Sequence, residues 1–227
     1  MHHYMAELRL QGQSVLVIGG GTVATRKIRG LLETGAELQV LAPECSPELR
    51  QWQQQGLVSI REAVFTEQDL EIDPRPLLVF AATGSSLLNQ GIARMCHHRN
   101  LLCNSADDPR TSGFLVPAVV RRGGLTVAVG TQGASPALSR LLKERIEHWL
   151  EPGWQGVVEV FGMMRAEVLR RLPDSHVRQA FWRKIALLAE QEQCHRHPDP
   201  RSWFLDRLDA ASKTDSAEDH PALSKRD

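Results

Sequence analysis

The sequence predicts an α/β fold: a parallel-sheet domain, then a hairpin with a long helix, then a small all-helical domain. Three observations support this prediction. Short apolar runs alternate with helical patterns up to about residue 112. Two extended runs flanking Arg121-Arg122-Gly123-Gly124 then indicate a hairpin. Helical patterns dominate the chain from Ser135 onward.

Five short runs in the first half are typical of strands. They lie at 14–18, 37–42, 57–60, 77–82 and 101–104, and the nearly all-apolar run at 77–82 indicates a strand buried on both faces. Helical patterns connect them after the glycine run as far as Gly35, and at 46–55 and 86–98. Strands that alternate with helices predict a parallel sheet with right-handed crossovers.

The second half changes character after residue 112. The hairpin runs are 114–120 and 125–130, and Pro117 favours an edge or bulged position for the first of them. Ser135-Pro136 is a good helix start for a helix to about Leu150. Two further helices are expected at 154–172 and 175–193, separated by Pro173.

These patterns predict four segments. Residues 1–112 form the sheet domain, 113–150 the hairpin and long helix, and 151–209 the helical domain. Residues 210–227 are polar and are expected to be a disordered tail.

Composition and charge exclude several classes of protein. Lys plus Arg and Asp plus Glu both number 27 among 227 residues, which argues against nucleic acid or a membrane surface as the partner. The four cysteines have no C-x-x-C spacing, so we expect neither a zinc site nor a disulfide framework, and a cytoplasmic location. We find no signal peptide and no apolar run of the ~20 residues that span a bilayer.

The glycine run at the end of the first strand predicts a nucleotide site. Gly19-x-Gly21-x-x-Ala24 lies between a strand and a helix, which is the dinucleotide-binding context of a Rossmann-like domain. The first glycine permits a tight turn, the second permits close approach of a pyrophosphate, and the helix N-terminus attracts the anion. The candidate contacts are Gly19, Gly21, Thr22, Val23 and Ala24, and the alternative is a plain glycine-rich turn.

The ends of the second and fourth strands complete the predicted cofactor site. Pro43 and Glu44 follow the second strand, where Glu44 either accepts ribose hydroxyls or is a solvated loop residue. No arginine occurs at 40–46 to bind a 2′-phosphate, so NAD is favoured over NADP. Thr83 is a further candidate contact, although a tight strand-to-helix turn explains Gly84 equally well.

Four segments together resemble the precorrin-2 dehydrogenase family, the N-terminal half of siroheme synthases. They are GGGTVATRK (19–27), AATGSSLLN (81–89), the stretch from Cys103 to Glu147, and FWRK (181–184). The resemblance spans about residues 4–190, and N-x-x-D followed by F-x-x-P and G-x-S-P is its specific part. Gly84 and Thr131 depart from residues that many members carry, an acid or amide and a serine, respectively.

The resemblance implies an activity and an assembly. It implies an NAD-binding domain, a dimerisation segment at 113–150, a homodimer, and oxidation of precorrin-2 to sirohydrochlorin. In several members it also implies insertion of ferrous iron, which would be a substrate here. Because the chain ends at residue 227, we expect a stand-alone form without the methyltransferase domain of the fused enzymes.

The resemblance also implies a catalytic acid. Asp107 is the acid of Asn104-x-x-Asp107, placed after the fifth strand, and as general base it would accept a substrate proton. The alternative is that Asp107 or Asp108 makes an Asx turn before Pro109.

The substrate's acetate and propionate groups call for cationic and amide contacts. The candidates are Asn104, Arg110, Arg121, Arg122, Thr131, Ser135, Arg140 and Lys143, although each cation taken singly is more simply a solvated charge. His97-His98 and Cys194-His195-Arg196-His197 lack the spacing of a four-ligand site, so no structural metal is expected. A competing hypothesis is a non-catalytic NAD-sensing regulatory module.

Overall fold

The structure is a computed structural model that describes residues 3–218, with side chains described as far as residue 213. The chain divides into two compact units. The first contains the residues up to Val116 together with Gly130–Ser135, and the second contains Pro117–Val129 and the chain from Pro136 onward. The hairpin and long helix therefore group with the C-terminal helices instead of forming a separate segment at 113–150.

The first unit contains the predicted parallel sheet. Its strands are β1 (Ser14–Ile18), β2 (Glu37–Leu41), β3 (Ser59–Arg61), β4 (Leu78–Ala81) and β5 (Leu102–Ser105). They pair in the order β3-β2-β1-β4-β5, and every pairing is parallel. The reversal of strand order beside β1 opens a crevice at the carboxyl edge, where doubly wound folds bind ligands.

Three helices cover the two faces of this sheet. They are α1 (Thr22–Arg29), α2 (Pro47–Gln54) and α3 (Ser86–His98). One apolar core joins Val15 and Val17 of β1 to Ile28 of α1 and Leu49 of α2. The other joins Leu16 and Ile18 to Ile92 of α3. Successive β1 side chains thus enter opposite cores, as the two-residue period of a strand requires.

Two predicted connections differ in detail. The helical pattern expected to reach Gly35 ends as an α-helix at Arg29, and a 3-10 turn at Leu32–Thr34 follows Gly30. Between β3 and β4 the structure has a 3-10 turn at Glu67–Leu70.

The second unit begins with the predicted hairpin. It consists of β6 (Ala118–Arg122) and β7 (Leu125–Val129), and the first strand starts only after Pro117 because proline cannot donate to a ladder. The guanidinium of Arg122 donates to the carbonyls of Glu147 and Leu150, both at 2.9 Å. It thereby satisfies the C-terminal end of α4 (Pro136–Trp149) and fixes the hairpin against that helix.

Four helices complete the second unit: α5 (Trp154–Met163), α6 (Arg165–Arg171), α7 (Ser175–Gln191) and α8 (Pro200–Glu218). The single helix predicted at 154–172 is divided at Met164. Phe204 of α8 is fully buried, and the centroid of its ring lies 5.2–5.7 Å from those of Phe161, Phe181 and Trp182. This aromatic cluster is the centre of the helical core.

The prediction of a disordered tail from residue 210 is wrong for residues 210–218. They continue α8, whose earlier turns are anchored by buried Trp203, Phe204 and Leu208. Extending a helix that is already nucleated requires little further free energy, so polar residues continue it. The rest of the predicted tail, 219–227, lies outside the described residues.

The packing of α8 can be tested with Phe204→Ala. Removing a fully buried aromatic side chain leaves a cavity and typically destabilises a core by about 3–5 kcal/mol. Urea unfolding followed by tryptophan fluorescence reports mainly on this unit, which contains four of the five tryptophans. The control Leu187→Ala, at a position 59% exposed, should stay within about 0.5 kcal/mol of the parent. Equal stability of the two variants would show that α8 does not form part of the core.

Candidate functional site

The loop between β1 and α1 lies against the ends of two neighbouring strands. The N–H of Gly19 donates to the carbonyl of Leu41 at 2.9 Å, and the N–H of Ala82 donates to the carbonyl of Ile18 at 2.8 Å. Gly19 has φ +123°, and a Cβ there would lie 2.2 Å from the carbonyl oxygen of Ala82. A Cβ on Gly20 would lie 2.0 Å from the carbonyl oxygen of Glu44. The first two glycines are therefore required by packing within the protein.

Gly21 differs, because a Cβ there would meet no described atom within 4 Å. Gly21 is the N-cap of α1, and no described side chain caps this helix. The first turn carries Thr22, Val23 and Ala24, none of them charged. Open space in front of uncapped N–H groups at a helix N-terminus fits a pyrophosphate. Packing within the protein does not require a glycine at position 21, whereas the close approach of a pyrophosphate would.

Two hydroxyl groups fix the β2–α2 loop to this site. The N–H of Ser46 donates to the carbonyl of Gly20 at 2.9 Å, and the Ser46 and Thr25 hydroxyl oxygens lie 2.9 Å apart. Ser46 also caps α2 by accepting the N–H of Leu49. Pro43 and Glu44 are exposed beside the glycine loop. The sequence prediction did not include Thr25 or Ser46, since isolated hydroxyl residues give no periodic signal.

A buried amide organises the end of β4. Asn89 of α3 is 1% exposed, and its Oδ1 accepts the N–H of Thr83 at 2.9 Å and the Thr83 hydroxyl at 2.7 Å. Its Nδ2 donates to the Thr83 carbonyl at 3.2 Å. Thr83 is therefore held at three points on the carboxyl edge of the sheet.

Asp107 lies on the same edge, in the loop after β5. Its Oδ1 accepts the Ser105 hydroxyl at 2.9 Å. A hydrogen bond from Ser86, and further ones from Ser105, its own backbone and Asn89, hold the pKa of the Asp107 carboxyl below its ordinary value, although desolvation opposes them. Asp107 is exposed, so an ionised proton acceptor is accessible to solvent at neutral pH.

The Asx turn belongs to Asp108. Its Oδ1 accepts the N–H of Arg110 at 3.0 Å across Pro109, and it also accepts Nε of Arg110 at 3.2 Å. The sequence left the Asx turn open between Asp107 and Asp108. Asp108 is only 9% exposed, and its carboxylate shapes the turn. The Asp107 carboxylate accepts from Ser105 instead, and it stays at the surface.

The predicted substrate residues fall into two groups. In the first unit, Arg110 has a side chain that is 90% exposed, and the Thr131 hydroxyl donates to the Ser135 carbonyl at 3.1 Å. Asn104 is 4% exposed and donates to the carbonyl of Phe114 at 3.0 Å, so it offers almost no surface to a substrate.

The other predicted cations belong to the second unit. Arg121 is exposed, Arg140 pairs with Glu144 at 3.0 Å, and Lys143 pairs with Glu147 at 3.3 Å. Arg122 is occupied by the end of α4, which argues against its inclusion among the substrate residues.

In the second histidine-rich stretch, His195 packs against other side chains of the protein. His195 stacks on Trp154 with ring centroids 4.8 Å apart, and its Nε2 lies 3.5 Å from Glu151. In the part of the chain that the structure describes, no group of three His, Cys, Asp or Glu side chains could hold a metal ion. Among the same residues, no helix combines the length and the apolar character needed to cross a bilayer.

Gly21→Asp is the cleanest test of the dinucleotide loop, because the space around Gly21 is open and the fold should survive. The new carboxylate would occupy the pyrophosphate position and repel it. We expect NAD binding to fall below detection by calorimetry. Gly162→Asp, at a helical glycine that also has nothing within 4 Å, carries the same charge change and should bind normally. Undiminished affinity in a folded Gly21→Asp protein would refute the assignment.

Comparison with known proteins agrees with this geometry. A family model described as NAD(P)-binding matches residues 7–118, and one described as the central domain of sirohaem biosynthesis proteins matches residues 122–148. The siroheme synthase of Nitrosococcus oceani is 35% identical over 178 residues, covering 78% of this chain and 37% of the relative. That of Salmonella arizonae is 36% identical over 185 residues, covering 82% and 40%.

The chain thus spans only 37–40% of the length of these relatives. It also resembles a solved structure of SirC, precorrin-2 dehydrogenase, with a TM-score of 0.72 and 26% identity. That match covers 92% of this chain and 100% of the other. The two consecutive domain models, the siroheme synthase relatives and this match along nearly the whole chain show that the chain belongs to the siroheme synthase and precorrin-2 dehydrogenase family.

Proposed function

We propose that this protein oxidises precorrin-2 to sirohydrochlorin with NAD as the hydride acceptor. The observation that carries the proposal is the shared position of two groups in one unit. The open glycine loop and the ionised Asp107 both lie at the carboxyl edge of the same sheet. A dinucleotide and a proton acceptor at one edge are what a dehydrogenation requires.

The loop after β2 favours NAD over NADP as the cofactor. Pro43 and Glu44 are exposed there beside the glycine loop, and the sequence has no arginine at 40–46. A carboxylate at this position accepts ribose hydroxyls and repels a 2′-phosphate.

The reaction removes a hydride and a proton from the substrate. NAD, when bound, supplies the hydride-accepting ring. Asp107 accepts the proton on its carboxylate, and Ser105 orients that carboxylate by donating to it. The balance is precorrin-2 plus NAD⁺ giving sirohydrochlorin, NADH and one proton. Because the pKa of Asp107 is lowered, it releases the proton to solvent readily and returns to its ionised form.

Exposed cationic side chains are the groups that would bind the carboxylates of the substrate. Arg110 is paired with Asp108, but a pair with one side chain 90% exposed contributes little free energy, so exchange for a substrate carboxylate is inexpensive. In the second unit, the exposed Arg121 and Arg140 and the half-buried Lys143 have the same capacity. Thr131 and Ser135 add hydrogen-bonding groups beside the start of α4.

Insertion of ferrous iron into sirohydrochlorin is a second reaction that Asp107 would serve. Two pyrrole protons leave when the metal enters, and an exposed carboxylate accepts them in turn. Iron here is a substrate, so the reaction requires no resident metal site.

We further propose that the protein is a homodimer located in the cytoplasm. Leu138 and Leu141 of α4 are 47% and 45% exposed, in the region that matches the sirohaem central domain, and Trp149, the residue after that region, is 64% exposed. Burying such apolar surface against a second copy is favourable. The four cysteines are free thiols, as in a reducing compartment.

The alternative is a non-catalytic NAD-sensing module, and one assay distinguishes it from the dehydrogenase. The sensor would need the glycine loop but not an exposed, ionised acid at the end of β5. Mixing the protein with precorrin-2 and NAD should give the sirohydrochlorin spectrum and one NADH for each product molecule. Binding of NAD without any turnover would favour the sensor.

Asp107→Asn tests the general base. The amide keeps the shape but cannot accept a proton, so dehydrogenase turnover should fall by about 10²–10⁴-fold, or roughly 3–5 kcal/mol of barrier. NAD affinity should remain normal, since the glycine loop is unchanged. Asp108→Asn should have the smaller effect on turnover, because Asp108 shapes a turn. Full turnover by Asp107→Asn would remove Asp107 from the mechanism, and loss of dehydrogenation alone would show that iron insertion uses another base.

The dimer can be tested by light scattering at micromolar concentration. The parent should have the mass of two chains, and Leu138→Glu combined with Leu141→Glu should have the mass of one, because two carboxylates would be buried at the interface. Leu187→Glu, on an exposed position of α7, is the matched control and should remain dimeric. A parent protein that is monomeric under these conditions would contradict the proposal.

A further inference from the structure

The residues that follow β5 form a loop, 105–112, that contains Asp107 and that we call the acid loop. β5 is an edge strand, with β4 as its neighbour on one side. The N–H of Ala106 donates to the Ala81 carbonyl at the end of β4 at 2.9 Å. Successive residues of a strand direct their backbone N–H and carbonyl groups to opposite sides, so those of Ser105 point away from β4. Their partners must come from another part of the chain.

The side chain of Ser112 supplies these partners. Its Oγ accepts the N–H of Ser105 at 2.9 Å. Its single proton is donated to the Ser105 carbonyl at 3.3 Å or to the Asp108 carbonyl at 3.1 Å. Ser105 is buried, and a buried backbone N–H without an acceptor is costly in free energy. The Ser112 hydroxyl therefore closes the acid loop in the way that a further strand would close the edge of the sheet.

Ser105 connects this closure to the acid. Its own hydroxyl donates to Oδ1 of Asp107 at 2.9 Å. Asp107 is exposed, so packing alone does not fix the rotamer of its side chain. Two consecutive hydrogen bonds, one at the Ser105 backbone and one at the Ser105 hydroxyl, thus connect Ser112 to the carboxylate.

We propose that Ser112 is a positioning residue for the reaction, because its hydroxyl fixes Ser105 and thereby the direction in which Asp107 presents its carboxylate. The inference rests on the proposed function for the role of Asp107, whereas the closure of the acid loop is a property of the protein without substrate. Ser112 contacts neither the dinucleotide nor the reacting atoms in this account. A general base is effective only when it is aligned with the proton that it accepts, so loosening the acid loop should lower kcat.

Three substitutions separate the hydroxyl of Ser112 from its size. Ser112→Ala removes the acceptor, and kcat for precorrin-2 oxidation should fall by about 10–100-fold, as expected for a misaligned catalytic group. Ser112→Cys has nearly the same size but is a weak acceptor, so it should resemble the alanine variant. Ser112→Thr keeps the hydroxyl and should retain most of the parent's kcat. The dissociation constant of NAD should be the same in all three, since the glycine loop is unchanged.

Thr111→Ala is the matched control within the same loop. The Thr111 hydroxyl donates to the same Asp108 carbonyl at 3.2 Å, whereas the N–H of Ser105 donates to Ser112. Removing the Thr111 hydroxyl should therefore leave kcat near that of the parent. A loss as large as that of Ser112→Ala would show that any weakening of the loop has this effect, and would contradict a specific role for Ser112.

A double-mutant cycle tests whether Ser112 acts through Asp107. In the Asp107→Asn background the general base is already absent, so adding Ser112→Ala should lower the residual kcat no further. General damage to the fold would instead lower kcat by the same factor in both backgrounds, and that result would overturn the inference.

Amide hydrogen exchange tests the closure of the loop without substrate. In the parent the N–H of Ser105 should be protected, and Ser112→Ala should speed its exchange by about tenfold or more, because a hydrogen bond is lost. The N–H of Ala106, which donates to β4, should remain protected and serves as the control for an intact sheet.

An unprotected Ser105 N–H in the parent, or unchanged exchange or kcat in Ser112→Ala, would overturn the inference. Absence of dehydrogenase turnover in the parent would refute the proposed function and with it the role of Ser112 in catalysis. The exchange pattern would then still show whether Ser112 closes the acid loop.

Discussion

The close approach of the β1–α1 loop to the end of β4 is the constraint on which the rest of the site depends. At Gly19 a single Cβ would lie 2.2 Å from the Ala82 carbonyl oxygen, so only a residue without a side chain permits this contact. The contact brings the N-terminus of α1 beside the Thr83 turn, and Thr83 in turn is fixed by α3. The position of the α1 N-terminus beside the end of β4 therefore follows from one backbone contact.

Neutral side chains hold the strand ends together around that contact. Ser46 and Thr25 attach the β2 loop, and Asn89 of α3 holds the Thr83 turn at the end of β4. Charged attachments would compete with an anionic cofactor and would perturb Asp107. With hydroxyls and an amide, the electrostatics of the site are set by the α1 N-terminus and the Asp107 carboxylate.

Sequence reasoning located the sheet well because each strand has its own local signal. The apolar runs gave all five strands to within two residues, and the fold class is confirmed by the pairing order and by the match to SirC. It failed where the deciding contact is remote in the sequence. Residues 210–218 carry no apolar side chain larger than alanine, and they extend a helix that Phe204 anchors by packing against Phe161 and Phe181. The grouping of the hairpin with the C-terminal helices likewise involves contacts that are remote in the sequence, those of Gly123 and Gly124 with Gln155 and Val158 of α5.

The site shows the same division. The glycine loop was predicted from its local strand–loop–helix context, which the structure contains, and the role of Asp107, which stays a prediction, from the family resemblance. The sequence could not tell which of Asp107 and Asp108 makes the Asx turn, since both precede Pro109. The structure shows that it is Asp108, which accepts the backbone N–H of Arg110. Asn104 looked like a substrate contact by position, whereas its buried amide holds the Phe114 carbonyl. Asn89 carries no signal in the sequence, because its bonds to Thr83 form only once α3 has packed beside the end of β4.

A structure of the protein determined with NAD bound tests the central claim most directly, because that claim places the dinucleotide and the acid at one sheet edge. The account predicts the pyrophosphate in front of Gly21 at the N-terminus of α1, the adenosine ribose toward Glu44, and the nicotinamide ring toward Thr83 and Asp107. Density for the pyrophosphate away from Gly21, or a reversed dinucleotide with its adenine beside Asp107, would contradict it.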